Sequence, residues 1–214
     1  MATNEFWLLD SVLEMRHPLS MLTSEQVESW FGRPAHGMTR DELLGLLGEL
    51  FARGDLCAST DERGDFVPAE AELAAALDGG ADADYGLTEA GGARWEALAR
   101  PDWNRFMDEV YGDDSAGAIT GRALGGQYAG EITCADRVHL DQYLQGVVYN
   151  GFLPHPETVQ VETLTPWQAL YWKVLPVGER VTFQCLRVKP VAEEEVPAWF
   201  REMKIWYKRP DEKP

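Results

Sequence analysis

The chain has 214 residues, of which 45% are hydrophobic and 11% aromatic, enough for one large or two small packed domains. Its net charge of −17 is unevenly distributed, because the first 114 residues hold 24 Asp and Glu against eight Arg and no Lys, a net of −16. A surface of that charge repels a phosphate backbone, so nucleic acid is an unfavourable partner.

The sequence carries no signal for export, for a membrane span or for a disulfide framework. No basic region precedes an apolar run near the start, and no uninterrupted apolar segment approaches the roughly 20 residues of a membrane-spanning helix. Cys57, Cys134 and Cys185 are far apart and form no Cys-x-x-Cys pair, which predicts buried, reduced thiols. We therefore expect a cytoplasmic protein without membrane association. The excess of Arg over Lys and the abundant Ala and Gly are typical of a bacterial chain.

Three helices are predicted in the first part of the chain. Residues 5–15 place apolar side chains at helical spacing, and residues 23–31 and 39–53 each begin with a Thr-x-x-Gln or Thr-x-x-Glu capping box. Gly32 and Gly54 follow the second and third helices, where glycine is the preferred C-terminal cap.

A β-hairpin and a short extra helix are predicted next. Residues 56–58 and 65–67 flank the polar tip Asp61–Gly64, the pattern of two antiparallel strands joined by a turn. Residues 69–77 then favour a further short helix before a Gly79-Gly80 loop.

A string from Tyr85 to Gly91 gives the clearest family signal. It reads Tyr-Gly-Leu-Thr-Glu-Ala-Gly, in which Leu87 ends a strand, Thr88 caps a helix and Gly91 permits close packing. It resembles the Tyr-x-Leu-Thr-x-x-Gly signature with which winged-helix regulators of the PadR and MarR kinds enter their closing helix. The resemblance covers about residues 5–100 and implies the winged-helix topology, with the insertion at 68–84 as a departure from the family pattern.

The second half is predicted to be a separate α+β domain. The helical pattern continues past Pro101 towards Tyr111, and residues 112–117 have the composition of a linker. We therefore divide the chain into an acidic winged-helix-like domain at 1–112 and an α+β domain with an antiparallel sheet at 113–214. The predicted elements of the second domain are strands at 118–120, 131–134 and 158–164, a helix from Asp136, a hairpin of 171–175 with 180–188, and a helix at 193–206.

The third helix lacks the side chains that read DNA. A winged helix that binds DNA presents Arg, Lys, Asn or Gln from this helix to the major groove. Burial of its leucines instead leaves Asp41, Glu42 and Glu49 outward, and the hairpin tip adds Asp61 and Glu62. We predict that these five carboxylates form a binding surface for a basic protein.

Aromatic residues crowd the last fifty positions. Trp167 follows Pro166 in a loop-like segment, so we expect it to be exposed and available for a partner. Trp199 and Trp206 share a helix face with Met203, and we assign that face to the sheet.

No constellation of catalytic residues is evident. The four histidines are isolated in sequence, although Asp136 and His139 are i, i+3 neighbours that could pair on a helix. An ordinary surface pair is the simpler interpretation of these two residues. No metal, nucleotide or other cofactor motif occurs, so we expect no cofactor and no enzymatic activity.

Three functions remain for comparison. The leading hypothesis is a non-enzymatic protein-interaction module, such as an immunity or inhibitor-type protein, that binds a basic partner through its acidic half. The alternative is a ligand-responsive winged-helix transcription regulator that forms a dimer through the helix after Thr88. An enzyme with its site between the two halves is the third. The sequence leaves the oligomeric state open.

Overall fold

The computed structural model describes residues 2–112 and 126–209. These residues have an α+β fold with seven α-helices and antiparallel sheets, divided into two compact units. Of the described residues, unit 1 contains 2–100, 170–173 and 209, and unit 2 contains 101–112, 126–169 and 174–208. The division thus falls at residue 100, whereas we expected it at 112. The strand predicted at 118–120 and most of the predicted linker lie outside the described residues.

Unit 1 contains five helices and a four-stranded sheet. The helices are α1 (Ala2–Asp10), α2 (Val27–Phe31), α3 (Arg40–Ala52), α4 (Glu70–Leu77) and α5 (Glu89–Ala99). The strands are β1 (His17–Pro18), β2 (Leu56–Thr60), β3 (Gly64–Phe66) and β4 (Asp84–Leu87), in the order β1-β4-β2-β3 with antiparallel pairing throughout. The predicted hairpin and the predicted helix before the glycine pair are therefore both confirmed.

One of the two predicted capping boxes is confirmed. The Thr39 hydroxyl accepts a hydrogen bond from the backbone N–H of Glu42, and the Glu42 carboxylate accepts one from the N–H of Thr39 at 2.8 Å. The box predicted at Thr23 is wrong, because that residue ends a 3-10 turn and its hydroxyl donates to the carbonyl of Leu77 at 2.6 Å. As a result α2 begins only after Gln26.

The passage from β4 into α5 has the predicted local structure. The Thr88 hydroxyl accepts a hydrogen bond from the N–H of Gly91 at 3.1 Å and donates to the carbonyl of Gly54 at 2.5 Å. A Cβ atom on Gly91 would lie 1.8 Å from the carbonyl oxygen of Asp55. The glycine is therefore required by the close approach of α5 to the residue that precedes β2.

Unit 2 is built around a five-stranded antiparallel sheet. Its elements are β5 (Met107–Gly112), β6 (Gln127–Cys134), α6 (Arg137–Gly146), β7 (Phe152–Pro154), β8 (Gln160–Leu164), β9 (Trp167–Leu170), β10 (Lys173–Leu175), β11 (Gly178–Arg187) and α7 (Ala198–Met203). The strand order is β5-β6-β11-β7, with β8 also paired to β11. β9 and β10 form a separate ribbon, of which Leu170 and Lys173 are counted in unit 1. The core of unit 2 includes Ile132, Tyr143, Phe183 and Phe200, from β6, α6, β11 and α7.

Long-range pairing corrects three predictions in the second half. The helical pattern beyond Pro101 ends, and residues 107–112 form β5, which pairs with β6 along its whole length. The predicted hairpin of 171–175 with 180–188 is wrong, because β10 pairs with β9 while β11 pairs with β6, β7 and β8. The last helix is shorter than predicted, since Pro197 stands at its N-terminal cap and holds the preceding residue in an extended conformation.

We predict that Gly91→Ala destabilises the protein by about 1–3 kcal/mol or more, because the new methyl group meets a backbone carbonyl that cannot rotate away. Gly45→Ala on α3 is the matched control. Its Cβ would meet nothing within 4 Å, so the better helix propensity of Ala should stabilise by about 0.5–1 kcal/mol. Urea unfolding of both variants measures the two changes, and equal stability of Gly91→Ala and wild type would contradict the packing described above.

Candidate functional site

The predicted acidic surface is exposed on two elements of unit 1. Asp41, Glu42 and Glu49 lie on the exposed face of α3, and Asp61 and Glu62 lie at the tip between β2 and β3. The side chains of Leu43, Leu47, Leu50 and Phe51 fill the opposite face of α3. The structure therefore confirms the outward direction of all five predicted carboxylates.

Glu42 has a structural role that the other four do not share. Its carboxylate accepts hydrogen bonds from both the N–H and the hydroxyl of Thr39, at 2.8 and 2.9 Å. These bonds lower the pKa of Glu42 from its ordinary value. A carboxylate used to start α3 is less available for a partner than Asp41, Glu49, Asp61 and Glu62.

Six arginines of unit 1 are paired with carboxylates, and one of them, Arg40, also lies 3.9 Å from Asp41 of the predicted surface. Arg40 makes a bidentate pair with Asp78, at 2.6 and 2.8 Å, and this pair raises the pKa of the guanidinium and lowers that of the carboxyl. Five more pairs join Arg16 to Asp65, Arg33 to Asp10, Arg53 to Asp55, Arg63 to Glu72 and Arg94 to Glu5. The cations nearest to α3 and the hairpin tip are thus already neutralised, and the exposed carboxylates dominate this surface.

The exposed face of α3 forms one wall of a groove of about 610 Å³. Asp41, Gly45 and Gly48 line this wall, and the segment from Val67 to Leu73 lines the other. That second wall belongs to the insertion between β3 and β4, which was the departure from the family pattern. The insertion therefore gives the third helix a concave and mostly apolar surround, in which Asp41 and Glu70 are the acidic residues.

Trp167 does not belong to an exposed surface, so this prediction is wrong. Only 5% of the residue is exposed. Its ring lies 5.8 Å from that of Phe106, and a Cβ on Gly178 would lie 2.7 Å from the indole. The preceding Pro166 suggested a loop, but Trp167 is the first residue of β9. Its side chain is buried because this strand is paired and packed.

The pairing of Asp136 with His139 is confirmed. Nδ1 of His139 lies 3.1 Å from Oδ2 of Asp136, and the other carboxylate oxygen accepts a hydrogen bond from the N–H of Val138 at 2.8 Å. The bond from the histidine and the backbone bond lower the pKa of Asp136. Asp136 thus both caps α6 and orients the imidazole of His139.

A polar network around the buried Tyr143 of unit 2 was not predicted from the sequence. The Tyr143 hydroxyl donates to Glu109 at 2.5 Å, Asn150 donates to that hydroxyl at 2.9 Å, and Lys204 donates to the Asn150 side chain at 3.2 Å. Burial and the charge of Glu109 raise the pKa of Tyr143, so the phenol keeps its proton. Since the partners come from β5, α6, the turn after α6 and the end of α7, no local spacing could reveal the network.

The described residues show neither a membrane span nor a metal centre. No helix among them is long and apolar enough to cross a bilayer. No group of three or more His, Cys, Asp and Glu among them is placed to hold a metal ion. Comparison of the chain with protein-family models, with curated proteins and with solved structures gives no match.

We predict that the three thiols resist iodoacetamide in the native protein at mildly alkaline pH. Burial raises the pKa of Cys134 and of Cys185 to about 11 and also raises the pKa of Cys57, so little thiolate is present to react. Mass spectrometry should detect no adduct on the native chain and full labelling after unfolding in urea. Rapid labelling of any one cysteine in the native state would contradict its burial.

Proposed function

We propose that the chain is a bacterial, cytoplasmic protein-interaction module whose acidic unit 1 binds a basic protein. The observation that carries this proposal is the contrast between exposed carboxylates and ion-paired arginines on unit 1. Carboxylates stand exposed on α3 and on the hairpin tip, whereas the neighbouring arginines are held in ion pairs. Complementary charge speeds association and disfavours partners of the same sign.

The fold of unit 1 supports a winged-helix scaffold used for protein contact. The helices α1, α2 and α3 come before the hairpin, and β4 lies between β1 and β2 in the sheet, as a wing strand does in that architecture. We propose that this unit is a winged-helix variant in which the inserted α4 and the acidic α3 replace the DNA-reading surface. An immunity or inhibitor-type protein that neutralises a basic nuclease is one class with this charge logic.

The exposed side of α5 favours the alternative, a transcription regulator that dimerises through this helix. On the outer side of α5, Ala90, Ala93, Ala97 and Leu98 are exposed, and such small apolar residues suit a helix–helix contact between two copies. The inner side of α5 is filled, since Trp95 is fully buried. Dimerisation through α5 remains a prediction of that alternative, and a DNA-binding measurement distinguishes it from the leading proposal.

We predict that the protein does not bind mixed-sequence duplex DNA at physiological salt, because the exposed face of α3 is acidic and the one arginine of this helix, Arg40, is paired with Asp78. Fluorescence anisotropy with a labelled duplex measures this. A variant with Asp41→Lys and Glu49→Lys is the positive control and should gain weak binding that falls with added salt. Micromolar binding by the wild type, lost in Arg40→Ala, would favour the regulator.

We predict that a fourfold variant, with Asp41→Asn, Glu49→Gln, Asp61→Asn and Glu62→Gln, associates with the basic partner at least tenfold more slowly at low salt than the wild type. Removing these charges weakens electrostatic steering and flattens its salt dependence. The partner is the basic protein that the wild type captures from its own cells, and stopped-flow mixing gives the rates.

The matched control removes the same charge from other exposed positions of unit 1, by Glu14→Gln, Glu25→Gln, Asp82→Asn and Glu89→Gln. Because the net charge of the two variants is equal, only a local docking surface makes their rates differ. Equal rates for the two variants, or a wild type that captures no basic protein, would contradict the proposal.

A further inference from the structure

A second surface with binding chemistry lies in unit 2, and it is independent of the acidic surface of unit 1. A groove of about 440 Å³ runs between α6 and α7. His139, Gln142 and Gln145 line it from α6. Their spacing of three residues places them in one stripe along the helix, about 9 Å long at the usual rise per residue. The stripe therefore presents three hydrogen-bonding side chains in a row.

The opposite wall carries an exposed indole. Trp199 of α7 is 46% exposed, contrary to the sheet-facing position that its spacing predicted, while Phe200 beside it is buried. The Trp199 ring is held by an edge contact with Tyr149 at 6.2 Å. The two helices pack closely at Gly146, since a Cβ on this residue would lie 2.2 Å from the Phe200 ring. A large aromatic face is thus fixed in position and left open to a ligand.

The polar groups of the groove both donate and accept hydrogen bonds. An ionised carboxylate only accepts, so Nδ1 of His139 donates to Asp136, and in the neutral imidazole Nε2 is then an acceptor. Gln142 and Gln145 each add two donors and an acceptor, and within the described part of the chain their side chains bond to no other residue. Met203 and two charged residues of opposite sign, Arg105 and Glu202, complete the lining.

We propose that this groove binds a neutral saccharide, with the apolar face of one sugar ring stacked on Trp199 and its hydroxyl groups bonded to Gln142, Gln145 and His139. Hydroxyl groups match this lining because each can donate and accept. A purely apolar ligand would leave the amides unpaired, and a ligand of large net charge would find no excess of the opposite charge in the groove. The shortness of the stripe suits one or two sugar rings better than an extended peptide.

The test begins with the full chain on an array of neutral and acidic glycans. The neutral oligosaccharide that is retained best is then titrated into the protein by calorimetry. We expect Trp199→Ala to weaken this affinity at least tenfold, Trp199→Phe to weaken it less because a stacking face remains, and Gln142→Ala to weaken it several-fold. Val138→Ala is the matched control, since Val138 is 62% exposed on the same helix and does not line the groove, and it should bind like the wild type.

Three outcomes would overturn the proposal. They are the absence of binding to any neutral glycan, binding only to acidic glycans, and binding that is unchanged in both Trp199→Ala and Gln142→Ala. Thermal unfolding of each variant checks that the fold is intact. Should Trp199→Ala fail to fold, Gln142→Ala and Gln145→Ala, which change exposed helix positions, decide the matter by the same titration.

Discussion

The packing of unit 1 depends on the buried carboxylate of Asp10. Only 7% of this residue is exposed, and its two oxygens accept hydrogen bonds from Arg33 at 2.5 Å and from the Trp95 indole at 3.0 Å. The Arg33 guanidinium also donates to the backbone carbonyl of Trp7, and it lies 4.1 Å from the centre of the Trp7 ring. Removing one partner of such a buried pair costs about 3–5 kcal/mol in proteins generally, because the other charge stays buried. This one carboxylate joins α1, the residue after the α2 cap, and α5.

A short distant segment completes the same unit. The Tyr171 hydroxyl donates to the carbonyl of Val12 at 2.7 Å and accepts from the N–H of Leu87 at 2.5 Å, and the Trp172 indole donates to the carbonyl of Leu13 at 2.8 Å. Without residues 170–173, these backbone groups of unit 1 would lose their partners. Buried backbone groups without partners are costly, so residues 170–173 contribute to the stability of unit 1.

The sequence predicts those parts of the fold whose causes are local. The cap at Thr39, the cap at Thr88 and the hairpin after α3 each depend on residues within a few positions, and all three are confirmed. Trp167 and the strand at 173–175 were placed wrongly, because their environments are set by partners that sequence spacing does not show. β10 forms a hairpin with β9, and the turn of this hairpin is tighter than that of the predicted hairpin with β11. β11 therefore pairs with three other strands.

The same division between local and distant causes applies to the candidate surface. The helical spacing of the leucines in α3 was enough to predict which side chains of this helix point outward. It could not show that Arg40 and Arg63 are held by Asp78 and Glu72, both of the α4 region, and these pairs decide the sign of the surface.

The acidic content of unit 1 therefore has two separate explanations. Part of it is structural, since Glu72 accepts from the N–H of Ala69 at 2.8 Å as well as from Arg63, and Glu42 performs the same capping task for α3. Residues of this kind would be needed whatever the protein binds. Asp61 and Glu62 have no such task within the described residues, and they stand at a tip where substitutions usually cost little stability. The fold does not require these two charges, so under the proposed function the tip and the exposed face of α3 are the places where a basic partner would bind.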